Sequence, residues 1–450
     1  MKRMIKRRKL LALMICMAML LSMMPTFAYG AASTEGGMID LNSKKDLKGK
    51  GYVWDASKHT LTLTNADLVS DVSDGTPIIK LPDSGDVVIE LKGENHLSTI
   101  DSSTAAIMHS MTGQGGKVTF QGNGTGSLSI KGYVNIYNDD VTVSDCILYI
   151  EPFGRDIEGW YSFCNAGEGS LMIQDKARMI LKGGLNGIGD LVIDNGSLEA
   201  SEIGILYIYG SVEVKNKGEL HVNNSLQNQS LAAVDVTDHF TADETSVVEI
   251  INHGDKYGIY IAYGDVEILS KEVYIKGLEQ AIFTETYKRV PTITLPKEIQ
   301  YDYVTKIEIS GDQWYHANLY ERYDRTKLVQ EIQYISEEAK TEKEKIKSGI
   351  ENTTIQLKSS YTSKNGIYLD WKKSSGYRVD YYEVFRSVKR NSGYTKKPFY
   401  TTEFGLKSYY TNTADLQKGQ MYYYKVRGVR EVDGEKYYTK WSNKAWRRAK

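Results

Sequence analysis

Between residues 85 and 270 the chain alternates apolar and polar positions in short bursts, and the bursts repeat. Gly189-Asp190-Leu191-Val192-Ile193 is followed by Asn195, Gly196 and Leu198. Twenty-one residues later Gly210-Ser211-Val212-Glu213-Val214 is followed by Asn216, Gly218, Leu220 and Val222. The same phrase starts at 85, 116, 139, 169 and 264, with a weaker copy at Asp238-His239-Phe240-Thr241-Ala242, so successive steps are 31, 23, 30, 20, 21, 28 and 26 residues. A period of two within each burst is that of a strand with one buried face, and Gly, Asn and Asp between bursts are turn formers. Repeats this short are single supersecondary units that bury their apolar face only by stacking on copies of themselves.

A variable unit of 20–30 residues suits a parallel β-helix, because extra residues loop out at one corner without disturbing the stack. The phrase predicts that Val118, Val141, Leu171, Leu191, Val212 and Val266 stack as one interior ladder. Tyr52-Val53-Trp54-Asp55 and the alternating run Thr60 to Asn65 open the repeat region. Trp54 has two readings there: a cap over the open end of the stack, or a platform on which a sugar ring stacks. Ala31 to Lys50 reads as a flexible lead-in. After Gly277 the repeat fades, with Thr292–Leu295 and Lys306–Ile309 as last strands. Leu328, Ile332, Ile335 and Ala339 follow helical spacing, so 313–350 reads as an amphipathic helical linker or cap, stopped by Gly349. Six short strand-like runs then divide 351–450: Thr354 to Lys358, Gly366 to Trp371, Tyr381 to Arg386, Ser408 to Thr413, Met421 to Arg430 and Tyr437 to Trp441. That is the pattern of a β-sandwich.

Two resemblances sharpen this outline. The opening Gly51-Tyr52-Val53-Trp54-Asp55 with Thr60-Leu61-Thr62-Leu63, followed by Gly85 to Asn95, resembles the carbohydrate-binding domain of secreted bacterial surface proteins. That domain is similar to the right-handed parallel β-helix of the pectate-lyase type, and the resemblance spans roughly 51–310. Its motif residues are turn and core residues, so it speaks to architecture rather than to a ligand. Leu416, Gly419, Tyr422, Tyr424 and Val426, with Trp371 upstream, closely resemble the turn and strand of a fibronectin type III module. The expected fold class is therefore all-β. A right-handed parallel β-helix (51–312) is joined through a short helical linker (313–350) to a C-terminal fibronectin type III sandwich (351–450).

The first thirty residues read differently. Lys2, Arg3, Lys6, Arg7, Arg8 and Lys9 precede an apolar run from Leu10 to Met24, then small residues around Ala28-Tyr29-Gly30. This is the layout of a secretory signal peptide, 1–30. No other run approaches the ~20 apolar residues that span a bilayer. A secreted, extracellular or envelope-associated protein is expected. Past the leader, Cys146 and Cys164 lie about one coil apart, open to a disulfide or to packing as small apolar residues.

A formal net charge of −1 conceals an uneven distribution. Residues 351–450 hold 21 basic and 9 acidic side chains, against 29 and 48 over 31–350. The basic excess clusters at Lys372/Lys373, Arg386/Lys389/Arg390, Lys396/Lys397 and Arg447/Arg448. Two explanations compete: solubility balance, or retention at a polyanionic envelope.

Catalytic candidates are weak. Asp139 and Asp140, the Arg155-Asp156-Ile157-Glu158 run, and His253-Gly254-Asp255-Lys256 supply carboxylates. Asn138-Asp139-Asp140 and Asn252-His253-Gly254 superficially resemble two polygalacturonase motifs, but they lie several coils apart and the basic motif of those enzymes does not occur. No nucleophile triad, metal-ligand spacing or phosphate loop stands out, so no catalytic residue, metal or cofactor is expected. Tyrosine is abundant, 33 copies against 9 Phe. Tyr207, Tyr209, Tyr257, Tyr260, Tyr263 and Tyr274 fall on nearby coils, with Trp160 and Tyr161 further up. With Trp54 they form the candidate glycan-binding set, the rival being aromatic stacking between coils. The expected function is non-catalytic binding of a polysaccharide or cell-wall polymer by a monomer without nucleic-acid partners. The alternatives are a polysaccharide lyase or hydrolase, and a protein-binding adhesin.

Overall fold

The computed structural model describes residues 38–70, 75–100, 104–109, 115–137, 139–152, 161–165, 169–202, 205–225, 231–254, 256–310, 313–362, 366–402, 409–413, 415–432 and 435–450. The leader 1–30 lies outside them. The chain divides into two compact units that meet in sequence between Ser336 and Glu337. It is all-β apart from one α-helix and a 3-10 turn among the described residues.

In the first unit, consecutive strands visit three sheets in fixed rotation: sheet I (including Tyr161–Asn165, Gly184–Ile188, Leu206–Ile208, Ala232–Val236, Tyr257–Ile261 and Gln280–Tyr287), sheet II (including Lys117–Gln121, Asp140–Ser144, Leu171–Gln174 and Leu191–Asp194) and sheet III (including Ile147–Glu151, Arg178–Leu181, Ser197–Glu202, Glu219–Asn224, Val247–Asn252 and Glu272–Lys276), each built largely of parallel strands from successive passes of the chain. The phrase lies in sheet II. Val118 aligns with Val87 and Val141, then Leu171, Leu191, Val212, Phe240 and Val266 follow in register. The expected ladder forms, with the weak copy at Phe240 filling its gap. All eight side chains are no more than 2 % exposed. Each such burial stabilises by about 1.5–3 kcal/mol. Residues from all three sheets belong to one hydrophobic core. The arrangement fits a solenoid.

The punctuation between bursts has a conformational cause. Asn65, Asp145, Asp175, Asn195 and Asn216, which follow sheet II strands, have positive φ; short polar side chains tolerate this region best after glycine. Gly218 lies close to the previous coil, and a Cβ there would stand 2.4 Å from the Ile193 carbonyl oxygen. The acidic residue of the phrase has its own role. Asp86, Asp140, Asp190 and Asp265 each accept a hydrogen bond through Oδ1 from a backbone N–H of the next coil, at Lys117, Ser170, Ser211 and Thr292, over 2.7–3.0 Å. Buried asparagines serve another corner: Asn95 accepts from Ala66 N and donates to Ser127 O, joining three coils.

Both ends of the stack are closed by antiparallel strands. At the start, Leu47–Gly49, Tyr52–Asp55 and Thr60–Thr64 form an antiparallel run. Part of the expected lead-in is thus ordered: Ile39 and Leu41 are buried. At the far end, Trp314–Glu321 and Tyr303–Ser310 add antiparallel strands to sheet I. Glu331–Ile335 does the same to sheet III against Glu272–Lys276. This corrects the helix expected over 313–350. Ile332 and Ile335 lie on a strand, and Ile332 is buried in the core because an exposed sheet edge there has pairing to offer.

The helix, α1, runs Glu337–Asn352 and belongs to the second unit. Ile346 and Ile350 pack into that unit's core. Gly349 does not stop it. Gly349 lies within it because a Cβ would stand 2.2 Å from the Tyr377 ring. Beyond α1 are two antiparallel sheets sharing one core: Ile355–Tyr361, Ile367–Lys373 and Tyr409–Asn412 in the first, and Tyr381–Ser387, Tyr400–Thr401, Met421–Val432, Glu435–Tyr438 and Ala445–Arg448 in the second. The buried Trp371 meets Tyr382 edge-on at 5.3 Å. Tyr422 Oη donates to Asp415 O at 3.0 Å and accepts from Gln417 N at 2.9 Å. Cys146 and Cys164 are free. Cys164 lies in sheet I and Cys146 before a sheet III strand, so they do not stack.

Candidate functional site

Sheet I is where surface chemistry gathers. Its core-facing row runs through Phe163, Leu185, Leu206, Val234, Ile259 and Ile282, so the alternate positions face outward. One outward row reads Tyr207, Asp235, Tyr260, Phe283 and Asn318. Continuing along the last two strands, Glu285 is level with His316, and Tyr287 with Trp314. Carboxylates, an imidazole and rings therefore share one face, placed there by alternation in Gln280–Tyr287 and Trp314–Glu321.

The rings divide into two kinds. Tyr260 stacks nearly parallel with Tyr257 at 6.1 Å and with Phe283 at 5.9 Å, and Tyr257 with Phe283 at 4.8 Å. Their faces largely serve one another. Tyr161 meets Tyr207 edge-to-face at 6.4 Å, and burial pushes the Tyr161 phenol up to about 12. Toward the last strands the rings open to solvent. Trp314 lies 5.6 Å from both Tyr263 and Tyr287, tilted 44° and 50° to them. Tyr263 is 51 % and Tyr287 46 % exposed. Lys288 Nζ lies 4.7 Å from the centre of the Tyr287 ring. Arg289 is held by Asp265 at 2.8 Å and reaches the Tyr263 carbonyl, bracing this corner.

Polar groups line the same face. Tyr260 Oη donates to Glu285 Oε1 at 2.5 Å, and burial together with that carboxylate raises its pKa well above the ordinary phenol value. Glu285 Oε2 lies 3.5 Å from His316 Nε2, which is 2.9 Å from Ser310 Oγ. Asp235, half-buried between Tyr207 and Tyr260, has its carboxyl raised to about 6 by burial. Hydroxyl-rich ligands hydrogen-bond to groups of this kind while their apolar faces lie on rings.

The expected glycan set is only partly brought together. Tyr207 and Tyr260 share the face, Tyr263 joins the exposed ring cluster, and Tyr209 is 55 % exposed just past the strand Leu206–Ile208. Trp160 lies outside the described residues. Trp54 is corrected: it is 1 % exposed, its Nε1 donates to Ser43 O at 3.1 Å, and it caps the first coil instead of meeting a sugar. Tyr274 belongs to sheet III. Trp314, Tyr287, Phe283, Asp235, Glu285 and His316 were missed. The alternation of Phe283, Glu285 and Tyr287 was the available signal, and the helical reading of the segment beyond 313 hid Trp314 and His316.

The carboxylates singled out earlier do other work. Asp139 is buried with its Oδ2 2.9 Å from His109 Nδ1, and Asp140 accepts from Ser170 N and Oγ. Arg155, Asp156, Glu158, Asn138 and Asp255 lie outside the described residues. No group of three His, Cys, Asp or Glu side chains suited to a metal occurs among the described residues.

The basic cluster of the second unit is largely spent on internal contacts. Arg386 lies 3.8 Å from the Phe399 ring centre, and Arg390 5.7 Å from that of Trp446. Lys373 donates to Tyr377 O, Arg447 to Ser359 O and Arg448 to Gly419 O. Lys372, Lys389, Lys396 and Lys397 face solvent. No helix among the described residues is long and apolar enough to cross a membrane. No protein-family model matches the chain, and no curated protein matches it in sequence.

Proposed function

We propose that this chain is an extracellular, non-catalytic protein that binds a polysaccharide or cell-wall polymer on the outward face of sheet I. In this reading residues 51–312 are a right-handed parallel β-helix of the pectate-lyase type, and 351–450 a fibronectin type III module. The rotation of strands through three parallel sheets supports the first assignment. The Tyr422 hydroxyl closing onto the Asp415 and Gln417 backbone supports the second. The observation that carries the binding role is the cluster of exposed Tyr263 and Tyr287 about the half-buried Trp314, next to the hydrogen-bonding groups of Glu285 and His316. Large exposed rings beside fixed polar groups are what sugar recognition uses: apolar ring faces stack, hydroxyls bond at the rim. Asp235 and Glu285 on this face, and an excess of 19 acidic side chains over 31–350, favour a neutral glycan over a polyuronate.

A glycan array run beside a reducing-sugar release assay tests this. Binding to neutral glycans should fall about tenfold or more in Trp314→Ala, the loss of one stacking ring, with no sugar released. Binding unchanged by Trp314→Ala defeats the assignment of the site. One observation favours a second reading, a lyase or hydrolase: Asp235, raised to about 6, lies on the same face as Glu285. Steady sugar release abolished by Asp235→Asn would establish it.

A further inference from the structure

Sheet I ends on an eight-residue strand, Tyr303–Ser310, that pairs with Trp314–Glu321 on one side and with no described residue on the other. Its free edge carries unpaired backbone donors and acceptors, a template for another strand. The core-facing row of the sheet continues onto it. Thr305 is level with the buried Leu319, Ile307 with the buried Ala317, and Ile309 with Tyr315. This apolar row runs past the end of the packed core: Ile307 is 39 % and Ile309 65 % exposed. On the opposite face Lys306 Nζ lies 4.0 Å from the centre of the Tyr320 ring, and Glu308 Oε1 accepts from Tyr320 Oη at 3.1 Å.

We propose that this edge pairs antiparallel with the same edge of a second copy of the chain, centred on Ile307. The charges select the occupant and the register. About a two-fold axis perpendicular to the sheet, residues directly opposite one another must share a face, so the axis passes midway between the two copies of one residue. Centred on Lys306, the pairing sets Lys306 against Lys306. Centred on Glu308, it sets Glu308 against Glu308. Centred on Ile307, it sets each Lys306 against Glu308 of the other copy, Ile307 against Ile307, and Thr305 against Ile309. Opposite charges across a strand pair stabilise it and like charges oppose it, so the sequence Lys306-Ile307-Glu308 is complementary to itself in this register alone. The same axis keeps both outward faces on one side of the joined sheet. Two ring clusters then face the same way, and a polymeric ligand can engage both at once. The pairing itself does not depend on what that face binds.

The test is a charge swap on the full chain, read by sedimentation velocity over a concentration series. The unaltered chain should dimerise. Lys306→Glu sets a second carboxylate against Glu308 of the other copy, and Glu308→Lys sets a second ammonium against Lys306. Each should weaken dimerisation about tenfold, since two cross-strand pairs turn from attractive to repulsive. The double variant K306E/E308K should recover it, and so should an equimolar mixture of the two single variants, as a heterodimer. Circular dichroism of each single variant checks its fold, and recovery in the mixture can come only from folded chains. A chain that remains monomeric at its highest soluble concentration overturns the proposal. So do single variants that dimerise as well as the unaltered chain, or a mixture that stays as weak as its components.

Discussion

His221 sits on the outward face of sheet III between Glu199 and Glu249 of neighbouring coils. Its Nδ1 lies 3.0 Å from Glu249 Oε2 and its Nε2 3.7 Å from Glu219 Oε2. Burial opposes the charge on the imidazole, but the two carboxylates outweigh it and raise the pKa from 6.5 to about 10. The other charged group of this row, Glu199, is paired with Arg178 at 2.7 Å. Tyr274, level with Glu249 on the next coil, is kept protonated by burial. Because the folded value is raised, the stabilisation is fully present below about 6.5 and is lost as pH climbs toward 10. The rise from 6.5 to about 10 sets a ceiling of about 5 kcal/mol. The imidazole is 30 % exposed and the carboxylates 29–40 %, so solvent screening leaves about 2 kcal/mol. His221→Gln keeps a donor for Glu249 and removes the charge. Urea unfolding followed by circular dichroism at pH 6, 8 and 10 should show the variant about 2 kcal/mol less stable at pH 6. At pH 10 the two proteins should coincide. A gap of equal size at both ends of the range, or one that widens with pH, refutes the argument.

Asp190→Ala removes the acceptor for Ser211 N and should cost about 1–2 kcal/mol in the same unfolding assay; an unchanged midpoint would show that the bond to the next coil contributes nothing. The full chain should sediment with anionic cell walls at low salt and be released by roughly half-molar salt, where exposed charges are screened. Replacing Lys372, Lys389, Lys396 and Lys397 together by Gln should abolish that sedimentation, and binding that survives either treatment rules out the basic surface as an electrostatic anchor.

The two units differ in how they use charge and rings. On sheet I, the Tyr263 and Tyr287 rings remain open to solvent, with the half-buried Trp314 between them. In the second unit Lys425 Nζ and Arg427 lie 3.6 Å and 4.7 Å from the Trp441 ring centre, and Arg427 also lies 3.8 Å from that of Tyr438. Cation–π contacts of this kind contribute about 0.5–2 kcal/mol each to folding. They also leave fewer basic groups free for an outside partner than the net charge implies.

Local pattern alone determined the sheet II strands of the repeat and their register there. One-residue slippage would expose Leu171, Leu191 and Val212 together, and a two-residue slip, which keeps the faces, would misalign the turn residues that flank each copy. The turns were legible for the same reason, since Asn and Asp tolerate positive φ where other side chains are strained. The closing of the second unit was legible too, in Trp371 and the Leu416-to-Val426 segment. Three things were decided only by the folded chain. Burial of Trp54 depends on Ser43, from a stretch that reads as loose. Ile332 and Ile335 fit a helix by spacing alone, and became a strand because the last parallel strand of sheet III offered an unpaired edge. The surface cluster required Tyr263, Tyr287 and Trp314 to meet from three separate stretches of chain. Spacing along the sequence carries no information about which outward positions of sheet I become neighbours once loops of unequal length intervene, and that is why its ring-bearing face emerges only from the register of that sheet.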